Sequence, residues 1–331
     1  MPEQLLSEVA GLAGKTVLVI GDVMLDEYIT GKPTRMSREA PVPVLELESK
    51  RYIAGGSANP AANIVSFGSR AVQVGVIGED GAGTRLVQTL EDKGIDASGL
   101  IRCADRPTTV KTRILAQMGL RFPQQVTRID TLTRRAIDEE TELQIVAFAE
   151  SRLERVDAVL LSHYHGGLLT PELVRRIREL CRRSGILITA DVQGKFASFG
   201  GLDLIKCNAD DAQRYLNREL VSDDDFSRAA LELASSLGIE QAAVITRGNR
   251  GATVACDGET QHCPAPSVSD VFDTVGAGDT AIATTTLAMA GGAAAADAVQ
   301  LANYASGIVV RHLGNYTPTL EELTRSIRAA L

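Results

Sequence analysis

The chain has 331 residues, 44% apolar and 23% charged, enough for a large core built as one big domain or as a domain with a smaller lid. Its net charge of −8 argues against a general nucleic-acid binder, which needs a basic face, but leaves open a nucleotide or sugar phosphate held by a local Arg/Lys cluster. Five scattered cysteines without a Cys-x-x-Cys fit a reduced compartment, and an N-terminus carrying Glu3 and Glu8 without an apolar core does not read as a secretory signal, so the chain is expected in the cytoplasm.

Ser7–Gly14 reads as a short opening helix. Thr16–Ile20 is a continuous apolar run, as expected of a strand buried on both faces of a parallel sheet. It ends in Gly21-Asp-Val-Met-Leu-Asp26, and open α/β sheets bind ligands just past the C-terminal ends of their central strands. Asp22 and Asp26 are therefore candidates to accept hydrogen bonds from sugar hydroxyls, with a capping or turn role as the alternative. Tyr28–Leu47, interrupted by Pro41 and Pro43, reads as edge strands. Gly55 and Gly56 then lead into a helix whose first turns offer Ser57 and Asn59. Val74–Gly78 is a further strand and Thr84–Lys93 an amphipathic helix.

In Thr108–Leu115 a period-two alternation places Lys111 and Arg113 on one face, and Val126–Asp130, which carries Arg128, reads as the partner strand. The blocks at about 28–47 and 106–130 together make a small β-sheet separate from the main layer. From Ala136 the pattern becomes regular. Helices at Asp138–Arg155, Pro171–Ser184 and Asp223–Leu237 alternate with strands at Ala158–Leu161, Ile186–Ala190, Leu204–Cys207 and Ala242–Thr246. Such alternation implies right-handed βαβ units and a parallel sheet covered on both faces. Cys256, His262 and Cys263 lie close together but match no zinc spacing, and read as structural. Ser267–Phe272 looks like a strand. The Ala/Thr/Gly-rich stretch Thr280–Ala296 reads as a buried helix, too weakly hydrophobic to span a membrane.

Between those last two segments lies Asp273-Thr-Val-Gly-Ala-Gly-Asp-Thr280. Its two glycines let the backbone turn sharply and approach a ligand. A helix starting there directs free N–H groups and the positive end of its dipole at the turn, which makes an anion hole suited to phosphate. Asp279 stands at the rim. A carboxylate repels phosphate, but it is well placed to take a proton from a hydroxyl that attacks one. A simple first-turn aspartate is the bland alternative.

This run, with Gly55-Gly56-x-x-Asn59 and with Asp22 and Asp26 upstream, resembles the signatures of the PfkB (ribokinase-like) carbohydrate kinases, in family order across nearly the whole chain. The resemblance implies a ribokinase-like three-layer α/β/α fold with a mostly parallel sheet, residues 1–331 forming one kinase domain with a β lid from about 28–47 and 106–130. It implies ATP and Mg²⁺ as cofactors, an anion hole of Gly276, Ala277 and Gly278, and Asp279 as the catalytic base. The sugar would lie between Asp22, Asp26, Gly55, Gly56, Asn59 and the lid cations Lys111, Arg113 and Arg128. Asn208 and Asp211 stand where the family has Asn-x-x-Glu, which organises magnesium and its waters; Asp reaches one methylene less, and a water-mediated role survives that change. Thr246, Gly248 and Gly251 resemble the loop that contacts the triphosphate, and Asn303 and Ser306 would lie beside the adenine or ribose. Lids of this kind often pair between subunits, so a homodimer through the lid is expected, with neither nucleic acid nor membrane as a partner.

A narrower similarity is to the heptose-phosphate kinase domains of the ADP-heptose synthase subgroup. It is carried by Gly21–Asp26, Ser37-Arg-Glu-Ala-Pro-Val-Pro-Val44, Gly55-Gly56 with Asn59 and Asn63, and Thr109–Leu115. It implies ATP-dependent phosphorylation of the anomeric hydroxyl of a heptose 7-phosphate, a precursor of lipopolysaccharide core. The middle of the chain departs from that subgroup. Ser162-His-Tyr-His-Gly-Gly167 stands for Ser-Asp-Tyr-Ala-Lys-Gly, and Asp191-Val-Gln-Gly194 for Asp-Pro-Lys-Gly, with Lys195 nearby. His163 and His165, with no third ligand evident, are not read as a metal pair. The departures leave two alternatives, a kinase for another sugar or nucleoside, and a catalytically weakened sugar- or nucleotide-binding relative.

Overall fold

Apolar runs closed off by glycines or capping residues fall into two sheets in a computed structural model that describes residues 2–119, 122–268 and 271–330. The opening helix α1 covers Pro2–Val9, earlier than Ser7–Gly14; a 3-10 turn over Ala10–Leu12 ends it, and Gly14 adopts φ +76°. β1 (Thr16–Gly21) is separated only by Asp22 from the long β2 (Val23–Met36), which pairs with β3 (Pro43–Gly56). Next come α2 (Ala58–Ser66), β4 (Arg70–Gly78), α3 (Gly81–Glu91), β5 (Asp96–Cys103), β6 (Val110–Ala116) and β7 (Gln124–Thr131). The regular half follows with α4 (Glu139–Arg152), β8 (Ala158–Ser162), α5 (Pro171–Ser184), β9 (Leu187–Asp191), β10 (Leu204–Asn208), α6 (Ala209–Leu216) and α7 (Asp223–Leu237). β11 (Ala242–Thr246), β12 (Ala252–Cys256), β13 (Glu259–Cys263), α8 (Ala277–Ala290), α9 (Ala295–Val309) and α10 (Leu320–Arg328) complete the chain.

The large sheet has nine strands in the order β13-β12-β11-β10-β9-β8-β1-β4-β5. It is parallel from β5 to β11 and antiparallel at β12 and β13. β1 lies inside this sheet and alternates between two cores. Val17 and Val19 pack toward α2, α8 and α9, whereas Leu18 and Ile20 pack toward α4, α5 and α7. This two-sided burial is the three-layer ribokinase-like α/β/α fold, with helices on both faces of the sheet. Most helices start on a side chain that accepts a first-turn N–H: Asp80, Asp138, Thr170, Asn208, Ser222 and Thr319.

The small sheet runs β3-β2-β6-β7. Its strands extend beyond the expected blocks because β2 starts directly after β1 and β3 continues to Gly56, so the lid grows out of the main sheet without a flexible linker. Gly56 takes φ +60°, the bend where β3 turns into α2.

Two local expectations are corrected. Ser267, Val268, Val271 and Phe272 are not in a strand; the Phe272 N–H bonds instead to the Val310 carbonyl at the end of α9, 2.8 Å away. Ser269 and Asp270 lie outside the described residues. The expected single helix Thr280–Ala296 is split into α8 and α9 by Gly291 and Gly292, the latter at φ +98°, which an L side chain disfavours. The strands β5, β12 and β13 and the helix α6 have no counterpart in the sequence reading.

Gly251, just before β12, has φ +81°, and a Cβ there would sit 2.6 Å from the Ala265 nitrogen. Gly251→Ala is expected to lower the free energy of unfolding by about 3 kcal/mol, read as a lower urea midpoint at unchanged slope.

Candidate active site

α8 begins where the chain comes off the loop after β13, and it begins differently from its neighbours. Its N-cap is Gly276, at φ +84° and with no side chain to accept a first-turn N–H. The N–H groups of Gly278 and Asp279 have no backbone acceptor among the described residues. A Cβ on Gly276 would lie 2.9 Å from Asn59 Nδ2, and one on Gly278 would lie 3.1 Å from Lys206 Nζ. Gly276 is thus favoured both by its positive φ and by close approach, whereas at Gly278 only the Lys206 ammonium would have to give way. The helix presents bare amides and its positive dipole end to a cleft, an arrangement that attracts an anion.

Asp279 sits in the first turn of α8, 8% exposed. Asn59 Nδ2, from the first turn of α2, donates to its Oδ2 at 2.7 Å, and the Tyr164 hydroxyl donates to its Oδ1. The next residue, Thr280, donates through Oγ1 to Asn63 Oδ1, one turn further along α2, at 2.8 Å, so the two helices are joined at two points. Burial, with the negative charge of Asp191 adding to it, pushes the Asp279 carboxyl up to about 6, against the opposing hydrogen bonds from Tyr164 and Asn59 and the charge of Lys206. That range suits a group that must accept a proton near neutral pH. Beside it, Lys206 Nζ on β10 forms a buried ion pair with Asp191 Oδ2 on β9 at 2.7 Å and donates to the Gly278 carbonyl at 3.1 Å.

These groups lie at one end of a cleft of about 560 Å³ at the C-terminal ends of β9, β10 and β11. Asn208, Thr246, Gly248, Gly251, Asn303 and Ser306 line it together with Gly276, Ala277, Gly278 and Asp279. Arg247 anchors the loop after β11 by donating to Thr253 Oγ1 and Asp223 and by lying 4.2 Å over the Phe226 ring. Asn303 donates to the Cys263 carbonyl at 2.8 Å and Ser306 to the Ala277 carbonyl at 2.9 Å, which ties α9 to both walls.

Asp211 does not line the cleft; its neighbour Asp210 does. The Asp211 side chain is buried beneath the start of α6, where Asn208 Oδ1 caps its N–H at 2.8 Å and Arg214 pairs with it at 3.1 Å. Burial, with Asp191 adding to it, raises its pKa. No group of three or more His, Cys, Asp or Glu side chains suited to a metal occurs among the described residues. The oxygen donors at this end are few and crowd carboxylates that a cation would relieve. That fits a Mg²⁺ that keeps its waters and takes ligands from a triphosphate, and it does not fit an all-protein cage.

The substrate-side candidates divide. The buried Asp26 pairs with the partly exposed Arg113 at 2.6 Å, and Lys111 is its register partner on β6. Gly55 packs directly against the Asp26 carboxylate, leaving no room for a Cβ. Arg113 also lies 5.1 Å over the Tyr28 ring, which Arg51 approaches at 6.0 Å. Arg128 is half-exposed and bidentate with Asp130 on its own strand, both bonds 2.9 Å. Asp22 is turned elsewhere. Its Oδ2 accepts the N–H groups of Tyr164 and Gly166, both at 2.9 Å, and its Oδ1 that of Leu168 at 3.2 Å, so the capping alternative describes its contacts.

Three site groups escaped the sequence reading. Lys206 interrupts the apolar strand Leu204–Cys207, a signal that was available; a buried lysine in a central strand needs a partner. Asp191 is that partner. Tyr164 stands where the subgroup's run also has Tyr, but its contact with Asp279 crosses 115 positions and nothing local announces it. His163 is buried against Phe199 and His165, and burial pulls its pKa down to about 4, so it does not replace a lost cation near neutral pH.

The family described as pfkB family carbohydrate kinase matches residues 15–322. The Bifunctional protein HldE of Caulobacter vibrioides is 40% identical over 324 residues, which is 96% of this chain and 64% of that protein. Its namesake from Mesorhizobium japonicum is 36% identical over 327 residues, 98% of this chain and 64% of that protein. The chain therefore spans somewhat under two thirds of the length of these relatives. Arabidopsis thaliana ribokinase complexed with ribose and ATP superposes with a TM-score of 0.72 at 19% identity, over 96% of this chain and 99% of that one. Phosphofructokinase-2 from Escherichia coli in complex with potassium gives 0.75 at 19% identity, again over 96% and 99%. The structural matches establish the fold.

The buried Lys206–Asp191 pair makes a stability prediction. Lys206→Met leaves Asp191 buried and unpaired and is expected to cost about 3–5 kcal/mol. Adding Asp191→Asn to the same chain should recover at least about half of that loss, as seen by chemical denaturation of the two variants side by side.

Proposed function

The chain belongs to the pfkB family of carbohydrate kinases, and from that membership we propose that it transfers the γ-phosphoryl group of ATP to a hydroxyl of a sugar phosphate, most specifically the anomeric hydroxyl of D-glycero-D-manno-heptose 7-phosphate. The observation that carries the kinase reading is the buried Asp279 beside the bare amides of α8, in a cleft large enough for a nucleotide. The acceptor rests on the resemblance of Gly21–Asp26, Ser37–Val44 and Thr109–Leu115 to the heptose-phosphate kinases. Lys111, Arg113, Arg128 and Arg51 on one small sheet give such a sugar's distal phosphate its cations.

In this reading residues 1–331 act as one kinase unit working in the cytoplasm, and the sugar lies between Asp26, Asn59 and the lid. ATP lies along Asn208, the Thr246–Gly251 loop, Asn303 and Ser306. Asp279 takes the proton from the attacking hydroxyl while the amides after Gly276 stabilise charge on the transferred group. Asn208 on the cleft wall, with Asp211 behind it, would hold Mg²⁺ through water, and Mg²⁺ bound to ATP neutralises the charge of the phosphates. The lid presents apolar side chains outward, including Met36, Leu47, Val126 and Ile129, each more than 40% exposed, and its β7 is exposed along its whole length. A second copy of the chain packing there, as a lid-to-lid homodimer, would cover them.

Turnover is expected with heptose 7-phosphate, ATP and Mg²⁺ in an ADP-release assay, and not with free hexoses, ribose or nucleosides. Stimulation by another acceptor alone would move the substrate while keeping the mechanism. Asp279→Asn should bind ATP normally and lose roughly three orders of magnitude or more in kcat; near-normal turnover would remove Asp279 as the base. A base must be deprotonated to act, and Asp279 is held up to about 6. The kcat/KM of the unaltered protein should therefore fall as pH drops through about 6 and level off above it. Asp211→Asn should raise the Mg²⁺ concentration for half-maximal rate several-fold, roughly the size of losses from outer-sphere ligand changes.

A further inference from the structure

Asp279 has a hydrogen-bond donor on each carboxylate oxygen. Asn59 belongs to one of the two sequence signatures; Tyr164 belongs to neither. Tyr164 comes from the loop after β8, and that loop is built around a carboxylate. Asp22 takes the N–H groups of Tyr164, Gly166 and Leu168, and Arg106 Nη2 donates to the Gly166 carbonyl at 2.9 Å. His165 and Gly167 both adopt positive φ, 58° and 87°, so the chain wraps tightly around Asp22. A Cβ on Gly166 would lie 2.7 Å from the Asp22 carboxyl carbon. The backbone of Tyr164 is thereby held at one end by Asp22, and its hydroxyl meets Asp279 at the other.

We infer that Tyr164 is a positioning residue for the base: its hydroxyl fixes the plane of the Asp279 carboxylate and favours its ionised form. This rests on the assignment of Asp279 as base made above. With Tyr164 on Oδ1 and Asn59 on Oδ2, rotation of the carboxylate would break two buried hydrogen bonds at once. In the transfer step the acceptor O–H bond breaks and its proton passes to Asp279, the acceptor oxygen bonds to the γ-phosphorus, and the bond from that phosphorus to ADP breaks. Tyr164 keeps its own proton throughout, because burial, followed by the charges of Asp279 and Asp191, raises its pKa well above the ordinary phenol value.

The groups facing Asp279 act in opposite directions. Burial and Asp191 on β9 favour its protonated form, whereas Tyr164, Asn59 on α2 and Lys206 on β10 favour the carboxylate. Asp26 on β2 bears on Tyr164 and keeps it protonated. Removing the Tyr164 hydroxyl must therefore make Asp279 harder to ionise, and the acid limb of activity must move to higher pH.

The test uses the full chain with aspartate carboxyls labelled with carbon-13. The Asp279 signal is assigned by its loss in Asp279→Asn. Tyr164→Phe, which deletes one oxygen, should raise the titration midpoint of Asp279 by about one pH unit. Fluorinating the Tyr164 ring, which makes the phenol a stronger donor, should lower it. With heptose 7-phosphate as acceptor, Tyr164→Phe should shift the acid limb of kcat/KM by the same amount. Its rate should be about fivefold down at pH 6 and within about threefold of the parent at pH 9, with the KM for ATP unchanged. An unmoved midpoint, or a loss equal at every pH, makes Tyr164 merely structural and overturns the inference. Full turnover by Asp279→Asn would overturn the base assignment instead, whatever Tyr164 does to the titration.

Discussion

The contact between α2 and α8 is the constraint on which the site depends. Asn59 meets Asp279 and Asn63 meets Thr280, across 220 and 217 positions of sequence. Both pairs are buried, and a buried polar group without its partner costs more than a good pair gains. The two helices are therefore locked in one register. The small residues around the contact, Ala58, Ala61 and Ala62 on α2 and Ala281 and Ala283 on α8, let the backbones approach closely enough for those short side chains to reach. Through this one interface the bend at Gly55 and Gly56, where the lid joins the body, is coupled to the anion-binding end of α8.

The electrostatics of the cleft follow from depth. Asp279, Asp191 and Asp211 lie near one another in a poorly solvated place, partly balanced by Lys206. Close carboxylates in low dielectric cannot all ionise freely. The pair that is geometrically satisfied, Lys206 with Asp191, is a fixed ion pair. The carboxylate left with neutral donors, Asp279, is the one pushed into the range where it can exchange a proton. The same group of residues thus holds one ion pair beside one carboxyl that burial raises. The negative excess that remains is what a cation-bearing nucleotide would neutralise.

The two sheets differ because their sequences differ. Strands of the large sheet are apolar at successive positions, since both faces are covered. Strands of the lid mix charged and apolar residues; β6 is half-buried throughout and β7 exposed throughout. Its cations face Asp26 and Tyr28, while the other side keeps Val126 and Ile129 outward. The lid is thus a surface with two unlike sides, one carrying cations and one carrying exposed apolar side chains.

How much of this was legible in the chain follows from range. The Gly276-Ala-Gly-Asp279 turn, the Gly55-Gly56 bend and the capped helices are local: backbone sterics and the four-residue reach of a helix fix them, so residue types at fixed spacing suffice. The layered α/β/α fold was legible for the same reason, through periodicity. The strand expected at Ser267–Phe272 and the unbroken helix Thr280–Ala296 went wrong where a distant carbonyl on α9 captured one segment and a glycine pair broke the other. Asp22 shows the limit most clearly. Its place after β1 was evident, but whether its carboxylate faces a ligand or the backbone of Tyr164, Gly166 and Leu168 depends on a loop more than 140 residues away. Sequence by itself determined the fold, the glycine turn at 276–278 and the place of Asp279 just after it, because each is written in neighbours along the chain. Tertiary structure alone decided that Tyr164 and Asn59 hold that aspartate, that Lys206 answers Asp191, and that burial raises the base toward neutrality, because desolvation and hydrogen bonding depend on which distant side chains the packing brings together.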